Sequence, residues 1–265
     1  MSAAIPPTSS AVPRPPEGDP GLAREALERN PHLWYHTIDL APGITTPGYI
    51  DMRKAAKKVL PDDMSGMKVL DIGTFDGFWA FAMEERGAEV TTADLETITD
   101  ADWPPIHRPR LEAQAEADGL VLGEGFRLAK AALGSNAERV VCNIYELGPD
   151  RVDAPFDLVY VGAILTHLRN PIDALLNVRS VLKPGGEFRT FEPISAHLSL
   201  RVRGRAVAEF KATNTDYTWW LPNTRTLIEW LTAAGFADVK RYALDRPPCA
   251  ERTWYAAVRG TNPGA

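Results

Sequence analysis

Short apolar runs alternate with amphipathic segments along most of the chain, which predicts strands separated by helices. The first clear run covers 69–72, and a glycine-containing turn leads from it into a helical pattern over 78–86. A second strand is predicted over 89–93, and Asp94 follows it directly. Strand, glycine turn, helix, strand and acid is the order of a nucleoside-binding βαβ unit, in which the acid accepts hydrogen bonds from ribose hydroxyls.

The same alternation continues toward the C-terminus. The predicted elements are a helix over 125–133, strands over 137–142 and 156–161, a helix over 171–182, a strand over 187–191, a helix over 224–234, and strands over 239–244 and 253–258. No helical pattern separates the last two strands. The connection over 96–122 is predicted to be a long loop, a feature that is usually functional or disordered.

The chain before the first strand has a different character. Residues 1–20 carry six prolines among small and polar residues, which predicts a disordered tail. Residues 21–66 are predicted to form a helical and aromatic extension, and 67–265 the main domain, with an insertion over 193–223 that covers the strand ends. The extension is predicted to hold a helix over 21–29, an extended aromatic segment over 34–40 and a helix over 49–60.

Composition narrows the class of protein. The chain has 265 residues, enough for one α/β domain with additions, and its net charge of −6 disfavours an enzyme that grips a folded RNA. No apolar run approaches the roughly 20 residues that span a bilayer, and the N-terminus lacks a signal-peptide pattern. The two cysteines, Cys142 and Cys249, lack metal-ligand spacing, which predicts no metal site and favours the reducing cytoplasm.

The glycine turn after the first strand indicates which nucleoside binds. Gly73 and Gly77 are separated by three residues, and Phe75 stands where a dinucleotide-binding turn has its middle glycine. Asp71 precedes the turn and Asp76 lies inside it. Two carboxylates would repel a pyrophosphate, whereas they suit the ammonium and sulfonium groups of S-adenosylmethionine. A βαβ unit with a tight turn and no ligand is the structural alternative.

With these residues the chain resembles the class I S-adenosylmethionine-dependent methyltransferases, whose first motif is an acid, any residue, a glycine, three residues and a second glycine. The Lys-Pro-Gly-Gly sequence at 183–186 and the final pair of strands fit the same class. The resemblance implies a Rossmann-like α/β fold with a seven-stranded, mostly parallel sheet and an antiparallel last strand. The N-terminal helical extension and the insertion after the fifth strand, both predicted from the sequence pattern, are additions to this fold.

One subgroup of that class is more similar. Its motifs match Trp-Tyr-His at 34–36, Thr-Pro-Gly at 46–48, the strand at 69–73, His-Leu-Arg-Asn-Pro at 167–171 and Trp-Trp-Leu-Pro-Asn at 219–223. In this set the chain resembles the family around the tRNA wobble-uridine 5-oxyacetate and 5-methoxyuridine methyltransferases, which includes small-molecule methyltransferases of biosynthesis. The resemblance extends from residue 34 to the C-terminus.

The resemblance implies a cofactor site at the carboxyl ends of the strands. The residues implied are Asp71, Gly73, Thr74, Phe75 and Gly77 at the methionine end, Asp94 and Leu95 at the ribose and adenine edge, Asn143 and Ile144 beside the adenine, and Val161 and Gly162 beneath the sulfonium.

The chain also departs from the wobble-uridine enzymes. Those that use carboxy-S-adenosylmethionine have a Tyr-His pair after the fourth strand, where this chain has Thr166 and His167. Arg252 matches one of their basic residues, and Arg53 or Lys54 another. Plain S-adenosylmethionine is therefore the expected cofactor, with the carboxylated form as the alternative.

Three side chains are candidates for the chemistry, although methyl transfer to a neutral amine needs no base. His167 follows the fourth strand, and its ordinary pKa of about 6.5 suits a general base. Glu192 ends the fifth strand and could orient the acceptor, and His36 in the aromatic segment could close over the site. Each of these side chains could instead have a purely structural role, the histidines as packed rings and the glutamate in a salt bridge. Candidate substrate-binding residues are Tyr35, His197, Trp219, Trp220 and Arg252.

The sequence thus predicts an S-adenosylmethionine-dependent methyltransferase that acts on oxygen or nitrogen of a small molecule, with no membrane or nucleic-acid partner. A tRNA wobble-uridine methyl or carboxymethyl transferase is the second hypothesis, and a nucleoside-binding protein without turnover is the third. The sequence leaves open the acceptor, the atom methylated and the oligomeric state, including a homo-oligomer.

Overall fold

The computed structural model describes residues 17–30, 34–202, 204–249 and 251–264. Of the predicted tail, 1–16 lie outside the described residues, and Pro20 already begins a helix. The helices are α1 (Pro20–Arg29), α2 (Arg53–Val59), α3 (Phe78–Glu84), α4 (Arg108–Ala117), α5 (Glu124–Leu133), α6 (Pro171–Ser180), α7 (Ala196–Arg201) and α8 (Thr224–Ala233). The strands are β1 (Asp39–Ala41), β2 (Ile44–Thr45), β3 (Lys68–Ile72), β4 (Glu89–Asp94), β5 (Glu138–Val141), β6 (Phe156–Gly162), β7 (Leu182–Ile194), β8 (Ala208–Phe210), β9 (Trp220–Pro222), β10 (Ala237–Asp245) and β11 (Trp254–Thr261).

A seven-stranded sheet has the order β10-β11-β7-β6-β3-β4-β5. Strands β3 to β7 pair in parallel, and β11 is antiparallel to both of its neighbours. The chain enters at β3, moves outward to β4 and β5, and then returns to β6 on the other side of β3. This reversal opens a crevice outside the carboxyl ends of β3 and β6, where ligands bind in open α/β sheets. The Rossmann-like sheet and its antiparallel last strand are confirmed.

Apolar side chains cover both faces of this sheet. On one face, side chains of α2, α3 and α5 form one apolar cluster with Val69, Leu158 and Phe191, and α1 packs on α5. On the other face, α6 and α8 pack against Leu70 and Val159. Because both faces are buried around the central strands, β3 and β6 have mainly apolar sequences.

The helix predicted over 49–60 is shorter than expected, because α2 begins only at Arg53. Ile50 is extended instead: its N–H donates to the carbonyl of Tyr35 (3.0 Å), and its carbonyl accepts from the N–H of Thr37 (2.9 Å). The aromatic segment is therefore held by backbone pairing that helical periodicity does not reveal.

Two regions predicted to be irregular contain secondary structure. Helix α4 lies inside the predicted loop over 96–122, and only Leu111 and Ala115 of this helix are buried, so its apolar stripe is too narrow to produce a periodic signal. The insertion over 193–223 contains α7 and the two-stranded sheet β8–β9. Strand β7 is also longer than the predicted 187–191, since it pairs with β11 as far as Ile194.

Asn223 joins the insertion to α8. Its Oδ1 accepts from the N–H groups of Thr226 (2.9 Å) and Val207 (3.4 Å), and its Nδ2 donates to the carbonyl of Arg205 (2.9 Å). We expect Asn223→Ala to lower the free energy of unfolding by about 2 kcal/mol, because the helix loses its cap and buried partners are left unpaired. Asn170→Ala, at the exposed cap of α6, should cost about 1 kcal/mol. Urea unfolding measures both, and equal losses would contradict this account.

Candidate functional site

The turn after β3 requires glycine at both predicted positions. Gly73 and Gly77 have φ angles of 73° and 90°, which lie in the left-handed region. A Cβ on Gly73 would lie 2.5 Å from Cδ1 of Ile164, and a Cβ on Gly77 would lie 2.4 Å from the ring of Phe81. Neighbouring side chains therefore pack closely against the turn. A ligand can reach the backbone of the turn only from the side that these side chains leave open.

Asp94 lies at the carboxyl end of β4, as predicted, and it ties the turn to that strand. Its Oδ2 accepts from the N–H of Phe75 and its Oδ1 accepts from the N–H of Leu95, both at 2.8 Å. Phe75 itself has a φ of 50°. Burial raises the pKa of the Asp94 carboxyl, and the two backbone donors oppose that rise. Each carboxylate oxygen retains a further acceptor site, enough for the two hydroxyls of a ribose.

Asp71 is the buried acid at the start of the turn. Its side chain is 1% exposed, and its Oδ2 has no hydrogen-bond partner among the described residues. Burial raises the pKa of this carboxyl to about 7, and the nearby charges of Asp94 and Asp76 also raise it. A buried acceptor without a partner is costly, so this position favours a cationic donor such as an ammonium group.

Asp76 has a different role from the one expected of it. The carboxylate is 0% exposed, and its Oδ2 accepts from the N–H groups of Tyr35 (3.0 Å) and His36 (2.7 Å). Its Oδ1 lies 2.7 Å from Nδ1 of His36. The expectation that Asp76 helps attract the cofactor is therefore wrong, because both oxygens are engaged by the N-terminal segment.

His36 is thereby brought to the glycine turn. Its ring stacks on Phe78 at the start of α3, with centroids 5.1 Å apart, and meets Tyr35 edge to face at 4.8 Å. Tyr35 in turn lies 6.1 Å from Phe75. Burial is the main factor that raises the pKa of Tyr35 to about 12, so its hydroxyl stays protonated at neutral pH.

The other predicted cofactor residues lie at neighbouring strand ends. Thr74 is buried in the turn. Asn143 follows β5 and accepts from the N–H of Tyr145 (3.0 Å), and Ile144 packs into the core. Val161 is fully buried at the end of β6. Gly162 follows it, where a Cβ would lie 3.0 Å from Nε1 of Trp79, so the strand end leaves no room for a side chain.

Glu192 approaches the strand ends from the opposite face of the sheet. Its Oε1 accepts from the N–H groups of Ile164 (3.1 Å) and Leu165 (3.2 Å) and from the hydroxyl of Thr190 (2.9 Å). Its Oε2 is buried and has no partner among the described residues. Burial raises the pKa of Glu192 to about 7. The carboxylate thus positions the loop after β6, whose Ile164 side chain closes over Gly73.

His167 follows β6, at the predicted rim of the site. Its Nδ1 lies 2.7 Å from the carbonyl oxygen of Tyr217 in the insertion. Because a carbonyl only accepts, Nδ1 carries the proton and Nε2 holds the lone pair of the neutral ring. Burial lowers the pKa of His167, so the ring is neutral at physiological pH.

The insertion is fastened to the loops that follow the strands. The N–H of Trp219 donates to the carbonyl of Thr166 (2.9 Å), and its indole N–H donates to the carbonyl of Asp102. The indole N–H of Trp220 donates to the carbonyl of Arg169 (3.1 Å). Both tryptophans are thereby held against the loops that follow β4 and β6.

Asp102 is a residue that sequence reasoning missed. Its Oδ2 accepts from the hydroxyl of Tyr145 and from the N–H of Arg169, both at 2.7 Å. It therefore links the loops that follow β4, β5 and β6. A single aspartate in a long charged connection gives no signal for such a role in the sequence.

His197 and Arg252 are less closely associated with the other predicted site residues. His197 is exposed on α7, and Arg252 is exposed with a φ of 51°. Among the described residues, neither side chain has a hydrogen-bond partner. The structure leaves their predicted roles in substrate binding without supporting contacts.

The site fits S-adenosylmethionine by its chemistry. Asp71 offers an unsatisfied buried acceptor for an ammonium group, Asp94 offers acceptors for a ribose, and the nearby charge of Asp94 adds to the preference of Asp71 for a cation. Together with the strand order, these residues define a class I S-adenosylmethionine-dependent methyltransferase.

The comparison with known families agrees. Residues 49–241 match the family described as a methyltransferase domain, and the chain belongs to this family. The predicted enzyme class and the predicted cofactor, S-adenosylmethionine, are confirmed.

Among curated proteins, the chain is similar to tRNA U34 carboxymethyltransferases. That of Hydrogenovibrio crunogenus is 26% identical over 193 residues, which are 71% of this chain and 50% of the relative. That of Pseudomonas aeruginosa is 30% identical over 182 residues, 67% of this chain and 47% of the relative. The chain therefore spans about half the length of these relatives.

A solved structure with a similar fold is the 1,6-didemethyltoxoflavin-N1-methyltransferase of Burkholderia thailandensis, with bound S-adenosylhomocysteine. It is 20% identical, with a TM-score of 0.50, over 79% of this chain and 77% of that one. At this identity the likeness establishes the fold.

The pKa of Asp71 predicts how cofactor binding depends on pH. Because the carboxyl must ionise to receive an ammonium group, we expect the affinity for S-adenosylmethionine to fall about tenfold per pH unit below pH 7 and to level off above it. Calorimetric titration should show weaker and pH-independent binding for Asp71→Asn. Glu192→Gln removes a buried carboxyl of similar pKa on the other face and should retain the slope. Parallel curves for Asp71→Asn and the unaltered protein would exclude this role.

Glu192 predicts a second pH dependence, that of stability. Its pKa of about 7, against an ordinary 4.5, means that the folded state binds this proton more tightly. Its stabilising contribution is full below pH 4.5 and is lost as the pH rises through 7, by roughly 3 kcal/mol at most. The free energy of unfolding, measured with urea at pH 5 and at pH 8, should fall less between these two pH values for Glu192→Gln than for the unaltered protein. The control variant Glu209→Gln removes a carboxyl whose pKa is lowered by hydrogen bonding to Ser195. This variant should not make the fall in the free energy of unfolding smaller.

Proposed function

We propose that the protein transfers a methyl group from S-adenosylmethionine to an oxygen or nitrogen atom of a small-molecule biosynthetic intermediate. The observation that carries this proposal is the attachment of the insertion to the strand-end loops, which we interpret as a cover over the crevice. The tryptophans and Tyr217 of the insertion are hydrogen-bonded to the loops that follow β4 and β6. A covered crevice admits a small acceptor, whereas a folded RNA would need an open approach.

Bound S-adenosylmethionine supplies an electrophilic methyl group. In the proposed arrangement Asp71 receives the ammonium group, Asp94 receives the ribose hydroxyls, and the turn from Gly73 to Gly77 allows close backbone approach. The remaining residues proposed to contact the cofactor are Thr74, Phe75, Leu95, Asn143, Ile144, Val161 and Gly162. The chain then contributes chiefly by aligning the acceptor, an effect that can supply roughly 7–11 kcal/mol.

The acceptor is proposed to lie between the N-terminal aromatic segment and the insertion. Tyr35 on one side and Trp219 on the other are half-buried aromatic surfaces suited to a planar molecule. His167 is proposed to contact the acceptor through its unprotonated Nε2. The long connection before α4 contributes through Asp102, which holds the cover in place.

Charge also supports a small acceptor. The chain carries a net charge of −6, and the cationic helix α2 is partly neutralised, since Arg53 pairs with Asp39 and Asp51, and Lys58 pairs with Asp245. An RNA-binding surface needs unpaired basic side chains.

Two other functions remain as alternatives. The similarity to tRNA U34 carboxymethyltransferases supports a tRNA acceptor, but Thr166 stands where those enzymes are expected to have tyrosine, and Arg252 is exposed. A nucleoside-binding partner protein without turnover would retain Asp71 and Asp94 equally well.

Other partners and the compartment follow from fewer observations. Within the described residues, no helix combines the length and the apolar character needed to cross a membrane. Cys142 and Cys249 are free thiols, which supports the cytoplasm as the proposed compartment. The prediction of a possible homo-oligomer is left as it stands.

Parallel calorimetric titrations and a transfer assay test the proposal. We expect S-adenosylmethionine to bind more tightly than carboxy-S-adenosylmethionine or NAD, and methyl label to enter a small-molecule extract fraction but not bulk tRNA. Asp94→Ala should weaken cofactor binding roughly 10- to 100-fold because a charged acceptor is lost, whereas Asp62→Ala, at an exposed site, should not.

Label in tRNA, or tRNA binding with a steep salt dependence, would favour the wobble-uridine function. Cofactor binding without transfer to any fraction would favour the partner protein.

A further inference from the structure

We propose that His36, oriented by Asp76, is the base that removes the proton of the acceptor, with its Nε2 facing the methyl group of the cofactor. This inference rests on the proposed methyl transfer and names a reacting residue for it. Asp76 is a positioning residue, because it acts through His36.

The first support is the geometry of the pair. Asp76 Oδ1 lies 2.7 Å from His36 Nδ1, and both groups are buried, with the carboxylate 0% and the histidine 6% exposed. An ionised carboxylate only accepts, so Nδ1 carries a proton and Nε2 holds the lone pair of the neutral ring. Among the described residues Nε2 has no hydrogen-bond partner. An orienting carboxylate behind a histidine is the arrangement of a general base whose positive charge is stabilised as it forms.

The backbone fixes this pair in place. Asp76 Oδ2 accepts from the N–H groups of Tyr35 and His36, and the ring of His36 is stacked on Phe78. The imidazole therefore has a single orientation relative to the glycine turn. Rigid placement of this kind is what general-base catalysis requires.

The location of the pair is the second support. The imidazole is paired with Asp76 inside the turn and stacked on Phe78 at its end, so it lies at the turn that Asp71 begins. In agreement, His36 is among the groups that oppose the rise in the pKa of Asp71, whose main cause is burial. The groups that face His36 are Asp71 from β3, Asp76 from the turn and Tyr35 from its own segment, with Tyr255 of β11 behind Tyr35.

His167 differs in the group that holds it. Its Nδ1 donates to the carbonyl of Tyr217, so a positive charge on its half-buried ring would have no carboxylate hydrogen-bonded to it. Burial accordingly lowers the pKa of His167. Of the two histidines at the crevice, His36 is therefore the one equipped to hold a proton.

When the acceptor is a hydroxyl group, methyl transfer forms one bond, breaks one bond and releases one proton. The acceptor oxygen forms a bond to the methyl carbon, the carbon–sulfur bond breaks with its electron pair left on sulfur, and the proton passes to Nε2 of His36. The products are a methyl ether, a neutral thioether and an imidazolium, which then releases its proton to water.

Nitrogen and proton NMR of the histidines test this inference without an acceptor. S-adenosylmethionine and S-adenosylhomocysteine differ by the methyl group and its positive charge. If Nε2 faces that charge, the titration midpoint of His36 should be lower in the first complex by roughly half a pH unit or more, as expected for a unit charge about 6 Å away in water. His197, exposed on α7, should show the same midpoint in both complexes.

The chain has five histidines, so the signal can be assigned with His36→Gln or, if that variant does not fold, by replacing the other four in turn. Equal midpoints for His36, or a shift at His167 instead, would overturn the inference while cofactor binding in the calorimeter still stood. Absence of cofactor binding would instead contradict the proposed function.

Asp76→Asn tests the positioning role. In the unaltered protein the neutral ring of His36 should carry its proton on Nδ1, which nitrogen chemical shifts report directly. The asparagine amide can donate to Nδ1, so the variant should place the proton on Nε2 and abolish its basicity. A proton on Nε2 in the unaltered protein, or an unchanged tautomer in the variant, would exclude the pair as a base.

Discussion

The interaction on which the site depends is the burial of one carboxylate, Asp76, between the glycine turn and the N-terminal segment. Four donors converge on it: the backbone N–H groups of Tyr35, His36 and Phe78, and the imidazole ring of His36. A buried carboxylate is stable only when it is paired and hydrogen-bonded. The turn and the aromatic segment are therefore obligatory partners: neither can leave without exposing an unpaired charge to the core.

A similar constraint operates on the other face of the sheet. Glu192 is buried and holds the loop after β6 through the N–H groups of Ile164 and Leu165. That loop brings Ile164 against Gly73. Two buried acids, one from each face, thus set the relative positions of the turn and the loop that border the crevice.

Local patterns in the sequence were sufficient for the sheet and for the positions of its functional strand ends. The apolar run over 69–72, the two glycines and Asp94 lie within 26 residues, where periodicity and spacing are informative. The role of Asp76 could not be predicted in this way, since its partners are about 40 residues distant. The same limit applies to Asp102, which joins loops after three strands, and to α4, whose buried stripe is too narrow. Contacts between distant loops are decided by tertiary packing, which a single sequence does not display.

The attachment of the insertion has a kinetic consequence. Its links to the strand-end loops are hydrogen bonds to backbone carbonyls, such as those made by Trp219 and Trp220. In water each such bond contributes about 1 kcal/mol net, so about four of them keep the open form near one molecule in a thousand. Loop motions on the microsecond to millisecond scale would then allow exchange of acceptor and product faster than a turnover of about 10 per second. In the proposed function, an insertion attached in this way would exclude water while it is closed and would open often enough for acceptor and product to exchange.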